Sequence, residues 1–408
     1  MDLQTGKFFW PHTYSDPPAY PSLETDIECE VLIIGGGVSG CMVAHYLMES
    51  GINSVIVDKR SIGMGSTYGN TGLLQLINDK SLLSLVHTFG EDKAVRHYKL
   101  CLQAIDCLAQ LVSTLDSNPD FRRRSSLYYA TTPSDEPSLL TEFQTLQKYD
   151  FPVQFFTAND IRKKYQFSKV AAIYTSGDAE VNPYKLVHAI AKKAIDKGLK
   201  IYEKTEIINH IQKGEHLYFK IKNGKTIKTK KVVFATGYET QQIKRNPNVR
   251  LVSTYAIVTQ PINELIGWDV RDLIWETARP YLYFRTTVEN RIIAGGLDEE
   301  TIDPIKRDSK LIGKTKTLLN EIRNLFPFLS NLKVEYKWGA TFGTTADGLP
   351  LIGTQQGFPN CYFILNYGGN GTVTSVIASQ IIHDLITKGY HPDMDLYQFD
   401  RGKYLSSK

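Results

Sequence analysis

The stretch VLIIGGGVSGCMVAHYL, Val31 to Leu47, limits the possible folds more than any other part of the chain. Four apolar residues run into three glycines, and apolar residues then recur at helical spacing, the pattern of a buried strand turning into a helix. Gly35, Gly37 and Gly40 make G-x-G-x-x-G. The first permits a tight turn and the second lets a pyrophosphate approach the backbone. The third lets helix pack on strand, while the first helical turn, with Val38 and Ser39, offers amide donors and partial positive charge. SVIVDK, 54–59, is a second apolar strand, completing a strand–helix–strand unit. It ends in Asp58 and Lys59, with Asp58 18 residues beyond Gly40. An acid there accepts from a ribose hydroxyl and disfavours a 2′-phosphate. A bend whose glycines serve packing alone is the competing reading, and the placing of Asp58 favours the dinucleotide. Whether that is NAD or FAD stays open on this motif.

The 408 residues are about three times a common domain length. Residues 1–28 hold four of the 17 prolines with Phe8, Phe9, Trp10, Tyr14 and Tyr20, and read as an extended arm docked by its aromatics. Beyond the first unit, helices are expected over 79–118, in SLLTEFQTLQKY, over 182–198, 306–326 and 373–389. Strands are expected in SSLYYATT, on both sides of Asn223-Gly224, through 250–300 and over 333–338. This predicts a discontinuous nucleotide-binding domain (29–78, 158–240 and 339–408) with a second domain (79–157 and 241–338) inserted on a mainly antiparallel sheet. The fold class is α/β with an α+β insert.

Net charge is +4, from 47 basic and 43 acidic residues. The longest basic cluster, KTIKTKK at 225–231, alternates as a solvated edge strand does, so no nucleic-acid partner is expected. Five scattered cysteines without a C-x-x-C pair point to a reducing compartment, and no apolar run suits a signal peptide or membrane span. A cytoplasmic protein with a small-molecule partner is the expectation. The nine histidines show no metal spacing, and no metal is expected.

Three later stretches bear on the cofactor. GMGSTYGNTGLLQ, 63–75, is a small-residue loop where the chain returns after Asp58. KKVVFATG, 230–237, is an apolar strand ending in Ala235, Thr236 and Gly237. TTADGLPLIGTQQGFPNCYFILNYGGNGTVTSVIASQII, 344–382, is a polar turn with Asp347, a strand, and a second glycine-rich helix start. Together these resemble the D-amino acid oxidase superfamily of flavoproteins over about 29–390. The resemblance implies FAD in a Rossmann-like domain. It maps Gly65, Ser66, Thr67, Asn70, Thr71, Gly72 and Leu73 to the loop around pyrophosphate and isoalloxazine. Gly369, Asn370, Gly371 and Thr372 map to the pyrimidine end, and the Ile207 backbone to adenine. Departures matter too. Ala340 stands where sarcosine oxidases bond the flavin through cysteine, and Gly69 where another branch uses histidine, which implies non-covalent FAD. Gln75, Val373 and Phe342 stand where relatives place basic residues that clamp a carboxylate.

The resemblance implies removal of a hydride from a C–H beside an amine nitrogen, giving an imine, with O2 as acceptor and H2O2 as product. The expected substrate is an amine or N-substituted amino acid. A 2-hydroxy-acid dehydrogenase with another acceptor, and a non-catalytic flavin protein, are the alternatives. In YLYFRTT, Arg285 is the candidate anion anchor because guanidinium binds carboxylate bidentately, the alternative being an arginine paired with Glu or Asp or one that orders the sheet. Tyr68, Tyr255, Tyr283, Phe342 and Tyr367 are the other candidates for the substrate pocket.

Overall fold

The computed structural model describes residues 1–365 and 368–401. Ile27–Ile34 and Ser54–Val57 are almost continuously apolar because both of their faces are covered, which is the usual condition of parallel strands. They pair in parallel, Val31 opposite Ser54, and Thr226–Phe234 lies parallel on the other side with Phe234 opposite Ile34. The eight-stranded sheet runs Leu351–Thr354, Cys361–Leu365, Thr226–Phe234, Ile27–Ile34, Ser54–Val57, Lys200–Tyr202. His216–Ile221 and Ile207–Lys213 extend it from the Thr226 strand.

The basic cluster at 225–231 is therefore not an edge strand. Thr226–Phe234 pairs with three neighbours, and its alternation buries Ile227 and Thr229 while Lys228 and Lys230 stay more open.

Three helices, Val38–Glu49, Pro183–Ile195 and Gly371–Thr387, cover one face of this sheet with their apolar sides. Asn182 caps the second by accepting from the Tyr184 and Lys185 amides. The Val38 and Gly371 helices start at Gly37 and Asn370, neither of which caps its helix with a side chain.

The second sheet is ten-stranded. Its order is Gln4–Lys7, Val334–Thr345, Val249–Thr259, Ile292–Glu299, Leu282–Thr286, Leu273–Glu276, Arg122–Tyr129, Ala171–Glu180, Leu73–Leu74, with Val153–Thr157 beside Ala171–Glu180. All pairs are antiparallel except Leu273–Glu276 with Arg122–Tyr129. The sheet boundary cuts through four of the expected segments. Leu73–Leu74, within 29–78, and the 339–345 end of Val334–Thr345 belong to the second sheet. Ala171–Glu180, within 158–240, also belongs to the second sheet, and the Glu91–Ser113 helix, within 79–157, shares the core of the first.

The arm packs on the body through its aromatics. Gln4–Lys7 adds an edge strand to Val334–Thr345, Phe9 and Trp10 are buried, and the Trp10 indole donates to the Asn70 carbonyl at 2.7 Å. Among the described residues no helix is long and apolar enough to cross a membrane.

Candidate functional site

A cavity of about 550 Å3 runs from the first glycine turn, between the sheets, to the inner face of the antiparallel sheet. At its nucleotide end lie Gly35, Gly37, Val38 and Ser39. A Cβ on Gly40 would sit 1.8 Å from the Gly35 carbonyl oxygen, and one on Gly35 (φ +112°) 2.4 Å from that of Ala235. Those two positions thus keep the helix, the turn and the neighbouring strand in close contact, and Gly40 itself does not line the cavity. Gly65 and Gly371 differ. Both line the cavity, and a Cβ on either would meet nothing within 4 Å, so their missing side chains leave open room.

Asp58 faces the cavity, its carboxylate accepting from the Gly36 and Arg60 amides at 2.8 Å. Burial raises its carboxyl, while those amides and the Arg60 charge draw it back. Beside it Glu239 accepts from Lys59 at 2.9 Å and from both terminal nitrogens of Arg60 at 3.0 and 3.1 Å. Burial alone would push the Glu239 carboxyl up, but these bonds outweigh it and bring it down to about 2. Lys59 therefore enters the site already paired. Glu239 was not apparent from the sequence, although it lies two residues past the Ala235–Gly237 strand end.

Ile207 lines the same end with Ala235, Thr236 and Gly237. The loop residues Gly65, Ser66, Thr67, Asn70, Thr71 and Leu73 line the middle, as do Gly369, Asn370, Gly371 and Thr372. Asn70 joins the two loops by donating to the Thr372 hydroxyl at 3.1 Å, and the Thr67 hydroxyl accepts from the Val38 amide. Gly72 lies behind the loop at φ +76°, where a Cβ would fall 2.1 Å from the Val181 carbonyl oxygen.

Four expectations differ. Arg285, 2% exposed, is absent from the cavity lining. Its guanidinium donates to the Gly72, Val181 and Thr71 carbonyls at 2.8, 2.9 and 3.2 Å, with Glu180 at 3.6 Å. It pins the loop from behind and does not line the cavity. Tyr255 is buried with its hydroxyl on the Arg307 carbonyl. Tyr68 is packed between Phe8 and Tyr184 and does not line the cavity. Asp347 is held in a two-point ion pair with Arg401, both bonds 2.8 Å, away from the cavity. Tyr367 lies outside the described residues.

Tyr283 and Phe342 do line the far end, joined by Trp275, Tyr281, Asp79, Asp298, Thr254 and Gln75. Tyr283 lies over Gly295, where a Cβ would come within 2.1 Å of its hydroxyl. Trp275 stacks on Tyr128 at 3.9 Å and meets the Tyr281 ring edge-on at 5.8 Å. Gly69 and Ala340 both line the cavity, and a Cβ on Gly69 would be 3.0 Å from that of Ala340. None of the five cysteines appears among the lining residues.

A Rossmann-like layer bearing a glycine-turn cavity, set against an antiparallel sheet that closes its far end, defines a nucleotide-cofactor oxidoreductase architecture. A family model described as FAD dependent oxidoreductase (DAO) matches residues 30–385, and the chain belongs to that family. The probable oxidoreductase OrdL of Haemophilus influenzae is 22% identical over 386 residues, covering 90% of this chain and 85% of its own. The gamma-glutamylputrescine oxidoreductase of Escherichia coli K12 is 22% identical over 377 residues, with the same coverage of each. The crystal structure of glycine oxidase from Geobacillus kaustophilus superposes with a TM-score of 0.77 at 20% identity, covering 90% of this chain and 96% of that one.

Proposed function

We propose that this FAD-dependent oxidoreductase oxidises the C–N bond of an amine or N-substituted amino acid and passes the electrons to O2. The carrying observation is one continuous cavity that joins the glycine turn to a wall of Trp275, Tyr281, Tyr283 and Phe342. The names of the relatives, a gamma-glutamylputrescine oxidoreductase and a glycine oxidase, support the reaction class.

In this reading the turn at Gly35–Ser39 holds the pyrophosphate, Asp58 the ribose, and the backbone near Ile207 the adenine. The loops 65–73 and 369–372 flank the flavin. Bound FAD supplies a two-electron acceptor for hydride from carbon. The protein orients a neutral amine with its Cα–H toward that acceptor and excludes water from the aromatic end. The amine leaves as an imine that hydrolyses, and the two electrons with two protons reduce O2 to H2O2. The absence of cysteine from the lining, with Gly69 and Ala340 facing the cavity, supports non-covalent FAD.

Anaerobic mixing of holoenzyme with a panel of amines, amino acids and 2-hydroxy acids tests this through bleaching near ~450 nm. Bleaching by amines, and peroxide on admitting air, is the expected result. Bleaching by hydroxy acids alone overturns it. Bleaching by dithionite and by no member of the panel leaves a flavin protein without this catalysis. Acid precipitation should leave the yellow colour in the supernatant.

A further inference from the structure

The substrate end of the cavity carries negative charge where an amino-acid substrate would call for positive. Asp79 and Asp298 line both the inner cavity and an outer one of about 1040 Å3, so they stand at the passage between the two, with Tyr281 and Phe342. Asp79 accepts from the Tyr281 hydroxyl at 2.8 Å and the Gly369 amide at 2.7 Å, which fixes its carboxylate. Asp298 hydrogen-bonds Thr254. Burial pushes its carboxyl up to about 6, with the Asp79 charge adding to the rise against Thr254 and Lys314.

Of the cations nearby, Lys314 and Arg250 are paired with acids and Arg279 is bonded to backbone carbonyls. Lys314 is paired with Glu299 at 2.6 Å and donates to the Leu297 carbonyl. Arg279 donates to the carbonyls of Glu276, Thr277, Ala278 and Asp79 and lies over the Tyr281 ring. In the outer cavity Arg250 is paired with Glu300, Glu142 holds the Leu82 and Leu83 amides, and Asp135 accepts from Thr132 and Thr277. Lys80 also lines that outer space. The basic residues lining the inner cavity, Lys59, Arg60 and His210, all belong to its nucleotide end. The aromatic end also keeps an unmet donor. Trp275 is 3% exposed, and its Nε1 has no partner among the described residues.

We propose that the non-reacting end of the substrate is a cation, an ammonium held by Asp298 and Asp79 against the Tyr281 and Trp275 rings, with an acceptor atom within reach of the indole. This rests on the amine-oxidation reading and narrows it to a diamine or a related amine with a second positive group. Two half-buried carboxylates repel a substrate carboxylate and stabilise an ammonium, and aromatic faces add to the attraction. Arg285, bound to backbone, offers no counterweight.

The test uses FAD-loaded protein and a matched series of N-alkylamines with the same reacting end and a distal ammonium, hydroxyl or carboxylate. Reduction should favour the distal ammonium over the carboxylate by about tenfold or more, as expected for a charge-assisted contact. Asp298→Asn should remove that preference while FAD content stays at one per chain, and Asp298→Glu should retain it. Equal or better reduction by the distal carboxylate overturns the proposal. A second measurement separates this failure from that of the reaction. A non-oxidisable bis-quaternary ammonium is titrated into oxidised holoenzyme and followed by the flavin spectrum. Binding that Asp298→Asn weakens upholds the cation site even if no amine is oxidised, and absence of binding overturns it.

Discussion

The two ends of the cavity are built from different material. At the nucleotide end the working groups are backbone amides, glycine gaps and the acids Asp58 and Glu239, drawn from short runs of sequence at the ends of parallel strands. At the substrate end they are side chains from strands far apart in the chain: Thr254, Trp275, Tyr281, Tyr283, Asp298 and Phe342. A backbone site is written in local spacing, and a side-chain site is written in register. Arg285 shows how the two meet. On Leu282–Thr286, Tyr283 lines the cavity, whereas Arg285 spends its donors on the loop that borders it.

The sharpest way to break this comparison is Arg285→Met. If the residue is structural, the variant removes the donor to the Thr71, Gly72, Val181 and Thr286 carbonyls and leaves Glu180 with Arg124 as its remaining cation. Loss of one side of a buried charged network costs about 3–5 kcal/mol. Chemical denaturation should show that loss together with weaker FAD retention, and the preference between cationic and anionic substrates should not change. A raised KM for anions at unaltered stability would return Arg285 to the role of substrate anchor.

Two glycines then sharpen it. Gly40→Ala places a methyl 1.8 Å from a backbone oxygen that cannot yield cheaply. The cost should lie at the upper end of about 1–3 kcal/mol for overpacking, read as a lower Tm and less FAD per chain. Gly295→Ala instead displaces Tyr283 at the other end. It should raise KM by about tenfold through misplacement while FAD content stays at one per chain. Loss of FAD from the Gly295 variant would mean that the two ends are not separable.

What was legible in the sequence divides along the same line. The glycine turn, Asp58, the 63–75 loop and the second glycine junction each declare themselves by composition beside a strand. Asp298 does not, because a bulge intervenes. Ser253 pairs with Glu299 and Tyr255 with Gly296, one residue more on the second strand, and Gly296 and Leu297 take φ of +124° and +59°. The irregularity breaks the alternation that would assign Asp298 to a face. Asp79 depends on a contact with Gly369, 290 positions away, and Asp347 looked like part of the site only because its partner Arg401 lies far along the chain. Local pattern carries neither fact.

The smallest effect concerns a third region, where the arm rests on the cofactor domain. His188 is 3% exposed, packed edge-on against Tyr14 at 5.5 Å and Tyr184 at 4.6 Å, and neither ring nitrogen has a partner among the described residues. Burial lowers its pKa to about 4. The unfolded chain, with an ordinary histidine near 6.5, takes up the proton first as pH falls. Stability is therefore full above that value and is lost progressively between about 6.5 and 4, by about 1.4 kcal/mol at pH 5.5. His188→Phe should remove that share of the acid loss, so that the difference in unfolding free energy between pH 7.5 and 5.5 shrinks relative to wild type. His97, also neutral and buried, with its pKa down to about 3, stays in both proteins and cancels in the comparison. Tyr184 also touches Tyr68, which touches Phe8 of the arm, so the same protonation should loosen the arm over the 63–75 loop. Limited proteolysis of residues 1–28 at pH 5.5 should then be faster in wild type than in the variant. Equal rates, with the pH dependence of stability unaltered, would mean that His188 is protonated in the folded protein without penalty and that the arm is held independently of it.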